Sequence, residues 1–220
     1  MPYLNREQII NLIKKKCIYS NKYITKNQLQ PASLDLTISS VCYRIKASFI
    51  PNKLKINKII KELSLNKIDL NQNTLLEKNC IYLCELNEKL KLPKGIMGKS
   101  NPKSTTGRLD IFTRVITENG KEYDFINYNY RGKLYLEIIP QSFSIILKKN
   151  TSLNQIRFFR GTQIENKTKQ INISVSIKKN QITAYKAKKI TSAIDLNKIN
   201  FYNSNKYLSL IHISEPTRRI

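Results

Sequence analysis

Histidine and tryptophan are nearly missing from this chain, and acidic residues are scarce. There is one His and no Trp, and 15 Asp and Glu stand against 39 Lys and Arg, a formal charge of +24. No apolar run approaches the length a membrane-spanning helix needs. The N-terminal apolar positions Ile9, Ile10, Leu12 and Ile13 follow Glu7 without a cleavage-type sequence, so no membrane partner and a cytoplasmic setting are expected. The four cysteines, Cys17, Cys42, Cys80 and Cys84, lack metal-ligand spacing. On one strand Cys80 and Cys84 would share a face roughly 13 Å apart, at about 3.3 Å per residue. That is too far for a disulfide or a shared zinc, which leaves reduced structural thiols.

A charge of +24 suggests a nucleic-acid partner on electrostatic grounds. Here the lysines are dispersed among Asn, Ile and Tyr rather than clustered, so the expected reading is a biased but solvated surface and no nucleic-acid partner. Residues 208–220, LSLIHISEPTRRI, resemble the translated read-through of a transposon-based sequencing adapter and are set aside from fold reasoning. His212 falls among them. The rest of the chain then has no histidine for acid-base work.

The length permits one ordinary core and part of another. Residues 6–17 carry apolar positions at helical spacing with a cationic last turn, which predicts an amphipathic helix. After Pro31 the alternation of Leu34, Leu36 and Ile38 predicts strand, residues 54–65 partly fit a short helix, and KIDL begins a return to strand. EKNCIYLCEL reads as strand, residues 93–110 as loop and IFTRVIT as strand. Asn119-Gly120 then gives a hairpin signal before KLYLEIIP, FSIILKK and LNQIRFF. Short strands at regular spacing predict a mainly β barrel or sandwich with an N-terminal helix. A polar linker, TQIENKTKQ, precedes INISVSI and QITAYKAKK. The expected organisation is therefore a domain over residues 1–162, the start of a second, cut-off β domain over 163–207, and the foreign tail 208–220.

Three groups of residues have chemical potential. In Lys103-Ser104-Thr105-Thr106-Gly107-Arg108 two cations flank three hydroxyls and a glycine, and each type suits a phosphate. The GxxxxGK of a Walker loop is missing, and a polar turn between strands accounts for the same residues. Around Glu137 alternation puts Leu134, Leu136 and Ile138 on one strand face and Tyr135 with Glu137 on the other. A carboxylate on a rigid strand is accurately aimed, and a desolvating pocket would suit it to general-base work. A solvated glutamate on an outer sheet face fits the pattern equally. Residues 123–130, YDFINYNY, offer rings and amides, among them Asn127 and Tyr130, that suit a pyrimidine and its sugar or simply an edge strand. Gln155 and Arg157 place polar heads beside a β core.

Taken in order, QPASLDL (30–36), NPKSTTGRLDIFTRVIT, YNYRGKLYLEI and TSLNQIRFFRG resemble the dCTP deaminase and dUTPase superfamily, and most of all its long bacterial dCTP deaminases with two related halves. The resemblance runs to about Tyr207. It implies a dUTPase-like β-barrel or distorted jelly roll with an N-terminal helix and one or two short helices, assembled as a trimer or trimer-like homo-oligomer with active sites between neighbours. It also implies hydrolytic deamination of dCTP to dUTP and ammonia, with Glu137, Arg108 and Ser104 catalytic and Lys103, Thr105, Thr106, Gly107, Asn127, Tyr130 and Gln155 binding substrate. Glu137 would take the proton of the attacking water and pass it toward the departing ammonia, while Ser104 and Arg108 help hold the water, the base and Glu137.

Zinc deaminases carry H-x-E and C-x-x-C, which this chain lacks, so no zinc is expected; Mg2+ would accompany the triphosphate. In the dUTPase branch the position of Asn127 is an aspartate. Asparagine cannot take a proton, which disfavours a dUTP diphosphatase or a bifunctional enzyme. A non-catalytic nucleotide or nucleic-acid binder is the remaining alternative.

Overall fold

Apolar positions recur at helical spacing in the first segment and at strand spacing almost everywhere after it. The computed structural model, which describes residues 3–161, 182–198 and 202–212, follows that change of period. Helix α1 (Arg6–Lys14) starts at a reciprocal cap: Asn5 Oδ1 accepts from Gln8 N and Gln8 Oε1 from Asn5 N, each at 3.0 Å. It buries Ile9 and Leu12 and stops short of Cys17, because Lys16 turns into the left-handed region at φ 53°.

The first unit continues through β1 (Ile18–Ser20), a 3-10 turn (Lys26–Gln28), β2 (Leu34–Leu36), β3 (Ile38–Ile45), α2 (Ile56–Leu63), β4 (Ser64–Asp69), β5 (Thr74–Leu76) and β6 (Ile81–Lys91). It goes on with β7 (Ile96–Pro102), α3 (Ser104–Arg108), β8 (Ile111–Thr117), β9 (Phe125–Ile126), β10 (Arg131–Pro140), β11 (Ile145–Leu147) and β12 (Asn154–Arg160). Strand β6 is the spine. One edge takes β3, with Cys42 opposite Cys84, and farther along β1, with Ile18 opposite Leu90; the other edge takes β10. Strands β4 and β8 lie outermost. A second sheet runs β2-β12-β7-β9.

These sheets close round one apolar core, to which β10 sends Leu134, Leu136 and Ile138, β12 sends Ile156 and Phe158, and β6 sends Leu86 and Leu90. The mainly β, barrel-like architecture implied by the resemblance is what forms. On its other face β10 packs Tyr135 into a smaller cluster with Ile45, Leu83 and Ile116, covered by Ile56 and Ile60 of α2.

Two sequence expectations fail for identifiable reasons. Residues 93–110 are not a loop but contain β7 and α3, and β7 pairs with β12 from Ile96 to Pro102. Glycines and polar residues hide the strand pattern. Gly98 lets Ile156 and Ile126 pack close to the strand, since a Cβ would stand 3.0 Å from Ile156 Cδ1 and 3.4 Å from Ile126 Cβ. Asn119-Gly120 does form a tight turn, with Asn119 at φ 57° and Gly120 N–H donating to Thr117 O, yet no hairpin follows. Asp124 takes the partner's place. Its N–H donates to Val115 O and its Oδ1 accepts from Val115 N, and the chain then leaves as β9 to pair with β7.

Residues 163–207 are not one continuous second unit. Ile164–Ser192 and Lys198–Ile220 form it, whereas Ala193–Asn197 belongs to the first unit. There β14 (Ile194–Asp195) runs parallel to β11, which also pairs with β5, and Ile194 is buried. Within the second unit β13 (Ile182–Ala187) pairs antiparallel with β15 (Leu208–His212), preceded by α4 (Ser204–Tyr207). INISVSI and the tail beyond His212 lie outside the described residues. Among the described residues no helix is long and apolar enough to cross a membrane. All four cysteines are free, and the neighbour of buried Cys84 is Cys42 across the sheet rather than Cys80 along the strand. Burial, reinforced by Cys42, pushes the Cys84 thiol well up, so it is unreactive.

Glu88 ties the entry strands to the spine. Buried on β6, it accepts from Thr37 N (2.8 Å), Thr37 Oγ1 (2.7 Å) and Gln28 Nε2 (2.7 Å). Desolvation nevertheless pushes its carboxyl above the usual 4.5. A raised folded-state value means that Glu88 contributes stability below pH 4.5 and loses it as pH rises through the folded value. Glu88→Gln turns an amide donor toward donors. Denaturant unfolding should show a loss of about 1–3 kcal/mol and a flatter stability profile between pH 4.5 and the raised folded value. An unchanged profile would contradict this account of Glu88.

Candidate active site

The face of β10 opposite the main core carries Glu137, which has 0% exposure. Its cross-strand neighbours are Leu83 on β6 and Arg114 on β8. Arg114 donates from Nε at 2.8 Å and also from Nη2, both to Oε1 of Glu137. The guanidinium sits 3.7 Å from the ring centroid of Tyr123 and 4.9 Å from that of Phe112, so both rings hold it in place. The second carboxylate oxygen, Oε2, is buried with no hydrogen-bond partner among the described residues. Native interiors rarely leave such an oxygen unpaired. Beside the pair, burial pushes Asp124 up to about 6, against the hydrogen bond from Val115 and the charges of Arg114 and Lys99, with Glu137 adding to the rise. Burial also pushes the Tyr123 phenol up.

The loop of cations and hydroxyls lies elsewhere in the chain. Lys103 N and Thr106 Oγ1 both donate to Leu153 O, at 2.8 and 2.7 Å, which fastens α3 to the residue before β12. Ser104, Thr105, Gly107 and Arg108 are exposed, while the Lys103 ammonium is ion-paired with the buried Asp35 of β2. A cleft of about 480 Å³ is lined by Lys103, Ser104, Gln155 and Arg157 with Ser33 and Asp35. Gln155 Oε1 accepts from Ser33 Oγ at 2.9 Å. Arg157 with the hydroxyls of Ser33 and Ser104 suits an anionic group of phosphate size, while the Lys103 charge is met by Asp35 of the same cleft.

Within one chain the structure therefore brings together Lys103, Ser104 and Gln155, but neither Glu137 nor Asn127 lines their cleft. Asn127 is exposed in another cleft, of about 600 Å³, beside Lys94, Met97, Phe125 and Tyr128. Two expected binding residues are turned to internal work. Thr106 is buried, its hydroxyl given to Leu153. The Tyr130 hydroxyl accepts from Glu118 N and donates to Lys133 O, bracing β8 against β10. Within one chain Arg108 makes no contact with Glu137, whose hydrogen-bond partner is Arg114. Sequence reading missed Arg114, Asp124 and Asp35. A lone arginine in the apolar run IFTRVIT was the available signal, but its partner depends on a register that only the folded sheet supplies.

Comparison with known proteins gives these features a context. The family model for the 2'-deoxycytidine 5'-triphosphate deaminase (DCD) N-terminal domain matches residues 2–162. The crystal structure of 2'-deoxycytidine 5'-triphosphate deaminase from Agrobacterium tumefaciens superposes with a TM-score of 0.86 at 32% identity, over 96% of this chain and 71% of that one. A dUMP-forming dCTP deaminase of Methanococcus maripaludis is 25% identical over 171 residues, 70% of this chain and 80% of the relative. A probable deoxyuridine 5'-triphosphate nucleotidohydrolase of Archaeoglobus fulgidus is 26% identical over 164 residues, 73% and 89% of the two chains. With the model spanning almost all of the unit that holds Glu137 and the cationic loop, the chain belongs to the dCTP deaminase family.

Proposed function

We propose that the protein deaminates dCTP hydrolytically to dUTP and ammonia, with Glu137 as general base. The observation that carries this reading is the buried carboxylate of Glu137, held through one oxygen and unpaired at the other, in a chain of the dCTP deaminase family. Water adds to C4 of the cytosine. Oε2 of Glu137 accepts one proton of the water and passes it to N3 as the hydroxyl adds, then takes the remaining hydroxyl proton as the C4 carbonyl forms and gives it to the amino group, which leaves as ammonia. The pair must stabilise the tetrahedral species more than the planar base to contribute to rate.

In this reading Lys103, Ser104, Thr105, Gly107 and Arg108 receive the triphosphate, and Asn127 bonds a sugar hydroxyl. Mg2+ would be carried by the phosphate oxygens themselves. The reading includes no zinc, since the sequence carries neither the H-x-E nor the C-x-x-C of zinc deaminases. Because the cationic cleft and Glu137 do not share a cleft in one chain, the reading includes a trimeric or trimer-like assembly in which the loop of one copy faces Glu137 of another. Exposure of Ser104, Thr105 and Arg108 supports it. A second reading, hydrolysis of the dUTP product, is favoured by the dUMP-forming and dUTP-hydrolysing names of two relatives. Asn127, which cannot act as a base, weighs against it.

Glu137→Gln should lower ammonia release from dCTP by about 10²- to 10⁴-fold while dCTP still binds in a calorimeter. Wild-type turnover by that variant would refute the proposed base. Mixing unfolded Glu137→Gln and Arg108→Ala chains and refolding them together should restore about a quarter of the sites, since each intact site then draws its loop from one variant and its glutamate from the other. No recovery, with both variants shown to co-assemble, would place the site within a single chain.

A further inference from the structure

We propose that Arg114 is a positioning residue for this reaction, fixing Glu137 through Oε1 so that Oε2 alone exchanges protons with water and substrate. The inference rests on the deaminase reading above. Four observations lead to it. Arg114 lies directly opposite Glu137 in the β8–β10 ladder, so both backbones are fixed by the sheet. Its two donors converge on one carboxylate oxygen rather than bridging both, which leaves the pair asymmetric. The guanidinium itself lies over the rings of Tyr123 and Phe112, and it is 23% exposed where its partner is fully buried. Finally, the side-chain donor to Glu137 within the chain is Arg114, and neither Ser104 nor Arg108 of the same chain reaches it.

A buried carboxylate without such a partner is costly and free to rotate. The fork removes both faults: it neutralises the charge at one oxygen and stops the exchange of the two oxygens by rotation. Lysine cannot substitute, because an ammonium is a point charge that neither donates in fork geometry nor stacks on rings. Arg114 acts through Glu137 and not on the nucleotide. Its loss therefore falls on kcat, with KM little altered.

The test uses the full chain and follows ammonia release from dCTP, with dCTP affinity measured separately by calorimetry. Arg114→Ala should lower kcat by about 10²-fold or more with KM changed by less than about 3-fold, and millimolar guanidinium, but not sodium at equal ionic strength, should restore a saturable part of the activity. Arg114→Lys should keep its fold and dCTP affinity yet lose about 10-fold or more in kcat. Should Arg114→Ala fail to fold, Arg114→Lys decides alone. Wild-type kcat in either folded variant overturns the proposal, as does a folded, dCTP-binding Arg114→Ala that guanidinium does not rescue. A wild-type chain that releases no ammonia from dCTP overturns the deaminase reading and the proposal together, which separates the two failures.

Discussion

Strand β10 is dry on both faces, and much of the molecule follows from that constraint. Leu134, Leu136 and Ile138 enter the main core, while on the other face Tyr135 enters the smaller cluster beneath α2 and Glu137 is buried beside Arg114. Burying three aliphatic side chains on one face contributes about 1.5–3 kcal/mol each and fixes the strand in register. Register then decides what stands opposite Glu137. A one-residue slip would turn the carboxylate into the main core and Leu136 toward Arg114. The ion pair is therefore less a source of stability than a consequence of the sheet, since buried pairs scarcely repay their desolvation.

Much of this was legible in the sequence because it depends on short-range pattern. Alternation placed Glu137 on the face opposite Leu134 and Leu136, and the helical spacing of residues 6–17 announced α1. The cationic loop was visible as a composition, and the family resemblance joined it to Glu137. Where the sequence misled, a longer-range contact overrode a local signal. Asn119-Gly120 turned as expected, but the Asp124 carboxylate filled the ladder position of the next strand. Gly98 and Ser100 disguised β7 as loop, although its whole length pairs with β12. Thr106 and Tyr130 looked available for substrate because nothing local reveals that Leu153 O and Lys133 O lie beside their hydroxyls. Arg114 was invisible for the same reason.

The separation of the two chemical groups within one chain is informative in its own right. The cations stand on an exposed turn fastened from behind by Thr106 and Lys103, a rigid mount facing outward. The carboxylate is sealed in a sheet with one oxygen unpaired. The proposed trimer-like assembly would bring the two groups together.

The most direct measurement is a crystal structure of the Glu137→Gln assembly with dCTP. The account predicts the triphosphate on Lys103, Ser104 and Arg108 of one copy and the cytosine C4 within hydrogen-bonding reach of the residue 137 side chain of its neighbour, with Arg114 still holding that side chain from the far side. A nucleotide bound with its pyrimidine remote from residue 137 would contradict it.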